Sequence, residues 1–429
     1  MDRVAVIGAG AAGLVTTRWL TDAGFEPVVF ERERGLGGLW REGSGLAYRS
    51  LRTNTSKQKT AFSDLPFDES LPHFPGRDAV LGYLERFADR FELRGRIRFS
   101  TPVRELRSEN GGWAVNGEPF DAAVVCTGLF SRAIVPELPG RELFAGSIVH
   151  SRDYRTPEPF AGQAVIVVGA GSSANDIACE LAGVARSVHL AIRDMPTFTP
   201  RLYRGRPFDH RATRLARALP AVLRDRWMWL ALRGEYRARG FALDRVTSKR
   251  TPGIEILDEI ASGRIVVHRG GVASLGTDGV RFSDGTSARA DAVICATGHA
   301  VEFPFLPADV PGRRDGALAL YRLVFPPSVR RLAFVGMCRV EGPVFPIAEI
   351  QARWVVAVFA GRGALPSESA MRAEIDARVE RARATGTDPM RVNLLDYLDD
   401  IAARIGARPS LLRHPRLLLS PVSARDYRA

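Results

Sequence analysis

The amino-acid sequence predicts an α/β protein built on two Rossmann-like dinucleotide-binding domains. The glycine pattern GxGxx(G/A) occurs twice, and each copy follows an apolar strand-like run and opens a helix-like run. The chain has 429 residues, 45% of them hydrophobic and 25% charged, so its composition is that of a globular protein. Its length suits about two to three domains.

The first copy lies at the start of the chain, where residues 4–7 read as a strand and Gly8, Gly10 and Gly13 are the motif glycines. In this motif the first glycine permits a tight turn, the second admits a pyrophosphate, and the third allows close helix–strand packing. Glu31 ends the next strand-like run, 18 residues after Gly13. A carboxylate at this position accepts hydrogen bonds from an unphosphorylated ribose.

The second copy follows the apolar run 164–168. Its motif residues are Gly169, Gly171, Ser172 and Ser173. Alanine takes the third glycine position, and Arg193 ends the next strand-like run 19 residues after it. A guanidinium there suits a 2′-phosphate and favours NADPH, although the adjacent Asp194 could instead accept a ribose hydroxyl and favour NADH.

The two domains differ in the nucleotide they favour, because the first suits a plain ribose and the second a 2′-phosphate. Together they predict a flavoprotein in which NADPH reduces FAD. A disulfide reductase of similar layout would need a paired redox dithiol beside the flavin. The four cysteines are widely spaced and form no CxxC pair, so the sequence disfavours that class and a local metal site.

The net charge of +12 rests on 57 arginines and three lysines. These residues form no basic stripe with interleaved aromatics, so we expect no nucleic-acid partner. No apolar run approaches the roughly 20 residues that a membrane-spanning helix needs, and we expect a cytoplasmic protein without a transmembrane segment.

A more specific pattern covers residues 144–154, which match FxGxxxHxxx(Y/F) at Phe144, Gly146, His150 and Tyr154. This stretch resembles the identifying pattern of the flavin-containing monooxygenases, and the resemblance runs through nearly the whole chain. The related Baeyer–Villiger enzymes carry tryptophan at the last position, so Tyr154 favours oxygenation of a heteroatom. We expect His150 to be a packed structural residue rather than a proton donor.

Three other stretches are similar to segments of the same family. They contribute Gly38, Leu39 and Trp40 in a GGxW segment, Thr53 and Asn54 in an LxTN segment, and Thr297 and Gly298 in an ATG segment. The resemblance implies that these residues bind cofactor. It also implies that the LxTN segment ends near the flavin and that the ATG segment links the two domains.

The resemblance implies an enzyme that forms a C4a-hydroperoxyflavin from NADPH, FAD and O2 and oxygenates nitrogen or sulfur in a small organic substrate. Asn54 is the candidate catalytic residue, because a neutral amide donates and accepts hydrogen bonds without supplying an acidic proton. The alternative for Asn54 is a turn cap. The alternative functions are Baeyer–Villiger oxygenation of a ketone and a reductase that passes electrons from NADPH to a protein partner.

The family order implies a discontinuous FAD-binding domain, residues 1–157 and 292–429, and an NADPH-binding domain, residues 158–291, inserted into it. A helical insertion is expected at about 205–250. Its apolar residues at helical spacing are Leu215, Leu219, Val222, Leu223 and Leu230. We expect this stripe to pack on its own domain, with a lid, a membrane-surface patch and a homodimer face as alternatives.

Overall fold

The structure is a computed structural model, and it describes residues 2–44, 46–247 and 249–428. The α-helices of these residues are α1 (Ala11–Asp22), α2 (Lys57–Thr60), α3 (Arg77–Arg90), α4 (Ser172–Leu181), α5 (Arg214–Ala218), α6 (Ala221–Ala238), α7 (Ile256–Ala261), α8 (Val344–Phe359), α9 (Glu368–Thr385) and α10 (Leu394–Arg404). None of these helices is long and apolar enough to cross a membrane.

The strands of the described residues are short. In the first part of the chain they are β1 (Arg3–Ile7), β2 (Glu26–Phe30), β3 (Ile97–Arg98), β4 (Leu106–Glu109), β5 (Gly112–Val115), β6 (Glu118–Phe120), β7 (Ala122–Val125), β8 (Arg132–Ala133), β9 (Ser147–His150), β10 (Ala164–Val168), β11 (Ser187–Ile192), β12 (Thr197–Thr199) and β13 (Leu202–Tyr203). In the second part they are β14 (Arg206–Pro207), β15 (Arg250–Pro252), β16 (Ile265–Arg269), β17 (Val272–Gly276), β18 (Gly279–Phe282), β19 (Ser287–Arg289), β20 (Ala292–Cys295), β21 (His299–Ala300), β22 (Arg313–Arg314), β23 (Ala317–Leu318), β24 (Leu332–Phe334), β25 (Arg339–Glu341) and β26 (Arg391–Asn393).

The chain folds into two compact units. Unit 1 comprises Met1–Ser44, Thr55–Ser131 and Val301–Ala429, and unit 2 comprises Gly45–Asn54 and Arg132–Ala300. The range 158–291, expected from the sequence for the inserted domain, lies inside unit 2. Unit 2 also takes in the residues that flank this range on both sides and the short early segment that ends at Asn54.

Unit 1 is built on a five-stranded parallel sheet with strand order β24-β7-β1-β2-β3. Its central strands are runs of valine, alanine and isoleucine with almost no exposed surface, as expected of a parallel sheet covered on both faces. Helix α1 leaves the carboxyl end of β1 and packs against α8. The first glycine motif is therefore held at the carboxyl edge of the central strand.

Unit 2 repeats this plan with a second five-stranded parallel sheet, in the order β16-β11-β10-β20-β9. In each sheet the motif strand is central, the next strand of the fold lies on one side of it, and a later strand (β7 or β20) lies on the other. Strand β9 carries part of the FxGxxxHxxx(Y/F) stretch and places His150 opposite Cys295. Helix α4 of this unit is the counterpart of α1.

The stretch expected as a helical insertion contains α5 and α6. The expectation that its apolar stripe packs on its own domain is wrong, because all five stripe residues are between 41% and 76% exposed. The buried residues of α6 are Leu232 and Tyr236 instead. The Tyr236 hydroxyl accepts a hydrogen bond from Phe198 N at 2.7 Å, which anchors the second half of the helix. The first half contributes no buried residue.

Candidate functional site

The first glycine loop joins β1 to α1 in unit 1. Gly8 has a φ of 105°, and a Cβ there would lie 2.9 Å from the carbonyl oxygen of Cys126. A Cβ at Gly13 would lie 1.8 Å from the carbonyl oxygen of Gly8. Gly10 is the N-cap of α1, and no side chain of the described residues caps it. The first-turn N–H groups of α1 are therefore available to an anion such as a pyrophosphate.

Glu31 lies beside this loop at the end of β2, and it is 6% exposed. Its Oε2 accepts a hydrogen bond from Ala9 N at 2.7 Å, and its Oε1 accepts one from Glu33 N at 2.9 Å. These bonds hold the carboxylate in one orientation. Since each carboxylate oxygen can accept a second hydrogen bond, Glu31 fits the expected contact with a ribose hydroxyl.

The GGxW segment packs against the same loop. Gly37 N donates to Ala9 O at 3.0 Å, and a short 3₁₀ helix follows at Gly38–Trp40. A Cβ at Gly38 would lie 3.0 Å from the Cα of Gly10, so the two backbones nearly touch. Leu39 and Trp40 are half-buried. Unit 1 thus brings Gly38 and Glu31 to the first glycine loop, as expected of a site for FAD.

The second glycine loop joins β10 to α4 in unit 2 and has the same geometry. Gly169 has a φ of 139°, and a Cβ there would lie 2.4 Å from the carbonyl oxygen of Ala296. Gly171 is the N-cap of α4, again without a capping side chain among the described residues. Ser172 and Ser173 form the first turn. The first-turn N–H groups of α4 are therefore also available to an anion such as a pyrophosphate.

Arg193 follows directly after β11, at the edge of the sheet where the second glycine loop lies. Its side chain is exposed, and its Cγ would lie 3.6 Å from a Cβ on Gly271. An exposed guanidinium at a strand end suits a phosphate ligand. Asp194 is also exposed, so both of the sequence-based alternatives for the nucleotide are accessible in this fold.

The ATG segment of unit 2 is hydrogen-bonded to the FxGxxxHxxx(Y/F) stretch and to Ile134. The Thr297 hydroxyl donates to the carbonyl oxygen of Ile134, and the carbonyl oxygen of Gly298 accepts from His150 Nε2 at 3.1 Å. Arg152 N donates to His150 Nδ1 at 3.0 Å. The two hydrogen bonds of the His150 ring specify a neutral imidazole with its proton on Nε2. Burial lowers the pKa of His150, in keeping with a packing role.

Asn54 lies at the end of the early segment that belongs to unit 2. Its Nδ2 donates to Ser172 Oγ at 3.3 Å, so the candidate catalytic residue contacts the first turn of α4. Thr53 is 4% exposed, and its hydroxyl has no hydrogen-bond partner within the described part of the chain. A buried hydroxyl without a partner fits the cofactor contact that we expect for Thr53.

Three polar residues form a row on α4 at spacings of four: Ser172, Asp176 and Glu180. Each receives a hydrogen bond from elsewhere in unit 2. The donors are Asn54 Nδ2 to Ser172 at 3.3 Å, the Tyr48 hydroxyl to Asp176 Oδ2 at 2.7 Å and the Tyr154 hydroxyl to Glu180 Oε2 at 2.8 Å. Since residues at this spacing share one helix face, α4 supports the nucleotide loop, Asn54 and Tyr154 together.

Sequence reasoning missed Tyr48, Asp176 and Arg201. Arg201 Nη2 donates to Asp176 Oδ1 at 3.0 Å, and the Arg201 side chain is almost fully buried. One signal could have found Asp176, because it stands four residues after Ser172 on the predicted helix. A carboxylate on that face needs a partner when the helix packs against a sheet.

We expect the stability of the fold to fall as the pH is lowered from about 7 to about 5, partly through His150. Because its pKa is lower in the folded protein than in the unfolded chain, the unfolded chain binds more protons in this range, and protonation favours unfolding. His150→Gln removes the titrating ring and keeps a donor for Gly298, so its melting temperature should depend less steeply on pH. His414→Gln, at an exposed position, is the control. Equal slopes in all three proteins would contradict the expectation.

Comparisons with known proteins agree with this geometry. The model of the family described as "Flavin-binding monooxygenase-like" matches residues 1–426. The chain is 34% identical to human flavin-containing monooxygenase 2, over 99% of this chain and 88% of the relative. It is also 34% identical, with the same coverage, to dimethylaniline monooxygenase [N-oxide-forming] 2 of Macaca mulatta.

Solved structures show the same fold. S-allyl-L-cysteine S-oxygenase from Allium sativum superposes with a TM-score of 0.72 at 29% identity, covering 94% of this chain and 88% of that one. NADP+-bound cyclohexanone monooxygenase from Rhodococcus sp. Phi1 superposes with a TM-score of 0.68 at 19% identity, covering 94% and 97%. The second likeness concerns the fold alone. The chain therefore belongs to the flavin-binding monooxygenase-like family and is an oxidoreductase that uses FAD and NADPH.

Proposed function

We propose that the protein oxygenates a nucleophilic nitrogen or sulfur atom of a small organic substrate, by the flavin–oxygen chemistry that the resemblance implies. The observation that carries the proposal is the contact between Asn54 and Ser172, which joins the candidate catalytic amide to the first turn of the second nucleotide-binding helix. This is the end of α4 at which the pyrophosphate of NADPH is expected.

When bound, FAD supplies the O2-activating chemistry once NADPH has reduced it. The residues of this chain bind the two nucleotides, hold the reacting groups and limit proton transfer. Asn54 suits that task because its amide forms fixed hydrogen bonds but releases no proton. A general base is not required, since the lone pair of an amine or sulfide is already nucleophilic.

The preference for a heteroatom is supported by two of the related proteins. The relative from Macaca mulatta is named as N-oxide-forming, and the Allium sativum structure is an S-oxygenase. The cyclohexanone monooxygenase is less similar, at 19% identity. Tyr154, which the family pattern associates with heteroatom oxygenation, has a defined role in this fold as the donor to Glu180.

The cysteines support an oxygenase over a disulfide reductase. All four are free, and Cys126, Cys295 and Cys338 are buried. Burial raises the pKa of the Cys126 and Cys338 thiols to about 12, which suppresses the reactive thiolate at neutral pH. These side chains therefore lack the properties of a redox dithiol.

The proposal is tested by measuring NADPH consumption and product mass over a panel of amines, sulfides and ketones. We expect at least one amine or sulfide to accelerate NADPH consumption and to gain one oxygen atom. Conversion of ketones alone would instead establish the Baeyer–Villiger alternative. Rapid reduction of a protein acceptor without any oxygenated product would establish the reductase alternative.

Replacement of Asn54 by alanine should separate flavin reduction from oxygenation. We expect Asn54→Ala to bind FAD and to be reduced by NADPH, but to release H2O2 in place of product, with the product yield per NADPH falling about tenfold or more. Gln163→Ala, which removes another amide side chain of unit 2, should keep the wild-type yield. An unchanged yield in Asn54→Ala would exclude the catalytic role and leave the turn cap.

Replacement of Arg193 by alanine tests the choice of nucleotide. Loss of a charge-assisted contact with the 2′-phosphate should raise the KM for NADPH about 10- to 100-fold and leave the KM for NADH nearly unchanged. Arg186→Ala, at the opposite end of strand β11, is the matched control. If Arg193→Ala leaves both constants unchanged and Asp194→Ala weakens NADH binding, Asp194 is the residue that reads the ribose.

A further inference from the structure

The segment that carries Asn54 belongs to unit 2, although the chain on both sides of it belongs to unit 1. The chain belongs to unit 1 up to Ser44 and again from Thr55, whereas the residues between them pack with unit 2. We call the described residues 46–54 of this segment the strap. The strap therefore brings Asn54 to the NADPH-binding unit although both of its ends continue into the unit with the first glycine loop.

A part-buried hydrogen bond holds the strap on α4. The Tyr48 hydroxyl donates to Asp176 Oδ2 at 2.7 Å, and the Tyr48 side chain is 3% exposed. The other carboxylate oxygen of Asp176 accepts from Arg201 Nη2 at 3.0 Å, so both oxygens are engaged. Burial and the neighbouring carboxylate raise the pKa of Tyr48, which keeps its hydroxyl protonated as a donor.

Apolar packing and a backbone bond reinforce this contact. The rings of Tyr48 and Tyr154 meet edge to face with centroids 6.1 Å apart, and Leu51 packs against the same buried cluster. Arg49 N donates to Arg155 O at 2.9 Å. The strap is thus fixed to unit 2 at Tyr48, six residues before Asn54, which itself contacts Ser172.

We propose that Tyr48 and Asp176 are positioning residues that lock the strap to α4, so that Asn54 stays at the N-terminal end of that helix. Because Tyr48 and Asn54 contact residues one helical turn apart, the lock couples the position of Asn54 to the helix expected to bind the NADPH pyrophosphate. The role given to Asn54 rests on the proposed function, whereas the lock itself does not.

The lock is tested first without catalysis, by limited trypsin digestion of the FAD-loaded enzyme. Arg49 and Arg52 are exposed strap residues, and cleavage after them is measured by peptide mass spectrometry with and without NADP+. In the wild type NADP+ should slow this cleavage. In Tyr48→Phe we expect cleavage at least about fivefold faster, with weaker NADP+ protection and a higher Kd for NADP+.

Tyr236→Phe is the matched control, because it also removes a buried tyrosine hydroxyl that bonds within unit 2. It should leave strap cleavage and NADP+ protection as in the wild type. Should Tyr48→Phe fail to fold, Asp176→Ala is measured in the same way, since it removes the acceptor of the Tyr48 hydroxyl. Cleavage and NADP+ protection equal to the wild type in the folded variant would overturn the lock.

The second measurement is the yield of H2O2 per NADPH consumed, together with the rate of anaerobic flavin reduction. Tyr48→Phe should release several times more H2O2 than Tyr236→Phe while its flavin is reduced at a rate close to that of the control. If strap cleavage is faster in Tyr48→Phe but the wild type oxygenates no substrate, the lock is supported and the proposed function is refuted. If Tyr48→Phe is cleaved at the wild-type rate and the wild type does oxygenate a substrate, only the lock is refuted.

Discussion

Close backbone contact at the two glycine loops is the constraint on which the rest of the structure depends. The first glycine of each motif lies against a carbonyl at the end of the neighbouring strand, Gly8 against Cys126 and Gly169 against Ala296. This contact lets the strand end, the turn and the helix N-terminus occupy one small region. Both helices then begin at glycines that no side chain of the described residues caps, so their first-turn N–H groups suit the same kind of anionic ligand.

The second loop carries an additional layer of polar contacts on α4. Asp176 and Arg201 form a nearly buried ion pair, which costs desolvation energy unless further hydrogen bonds compensate. The Tyr48 hydroxyl supplies such a bond and thereby ties a distant segment to the helix. Displacement of the strap would leave the Asp176 carboxylate with one hydrogen-bond donor fewer, in a buried environment where an unpaired charge is costly.

Local patterns predicted the parts of the site that local geometry controls. The glycine loops and the acid or arginine at the next strand end each lie within one strand–turn–helix–strand unit, so spacing alone brings them together. The Tyr48–Asp176 contact joins residues 128 positions apart, and no pattern in either segment specifies the other. The prediction that the apolar stripe of residues 215–230 packs on its own domain was wrong for a related reason. Periodicity identifies an amphipathic helix, but the surface that covers its apolar face is a property of the whole fold.

The sequence by itself determined the fold class, the two dinucleotide-binding loops and the family resemblance, because these depend on residue type and short-range spacing. Only the tertiary structure decided that the segment ending at Asn54 packs with unit 2, that neutral His150 donates a hydrogen bond to Gly298 and that the apolar stripe of residues 215–230 is exposed. These features depend on which distant groups meet. Buried polar groups must find partners wherever the folded chain provides them.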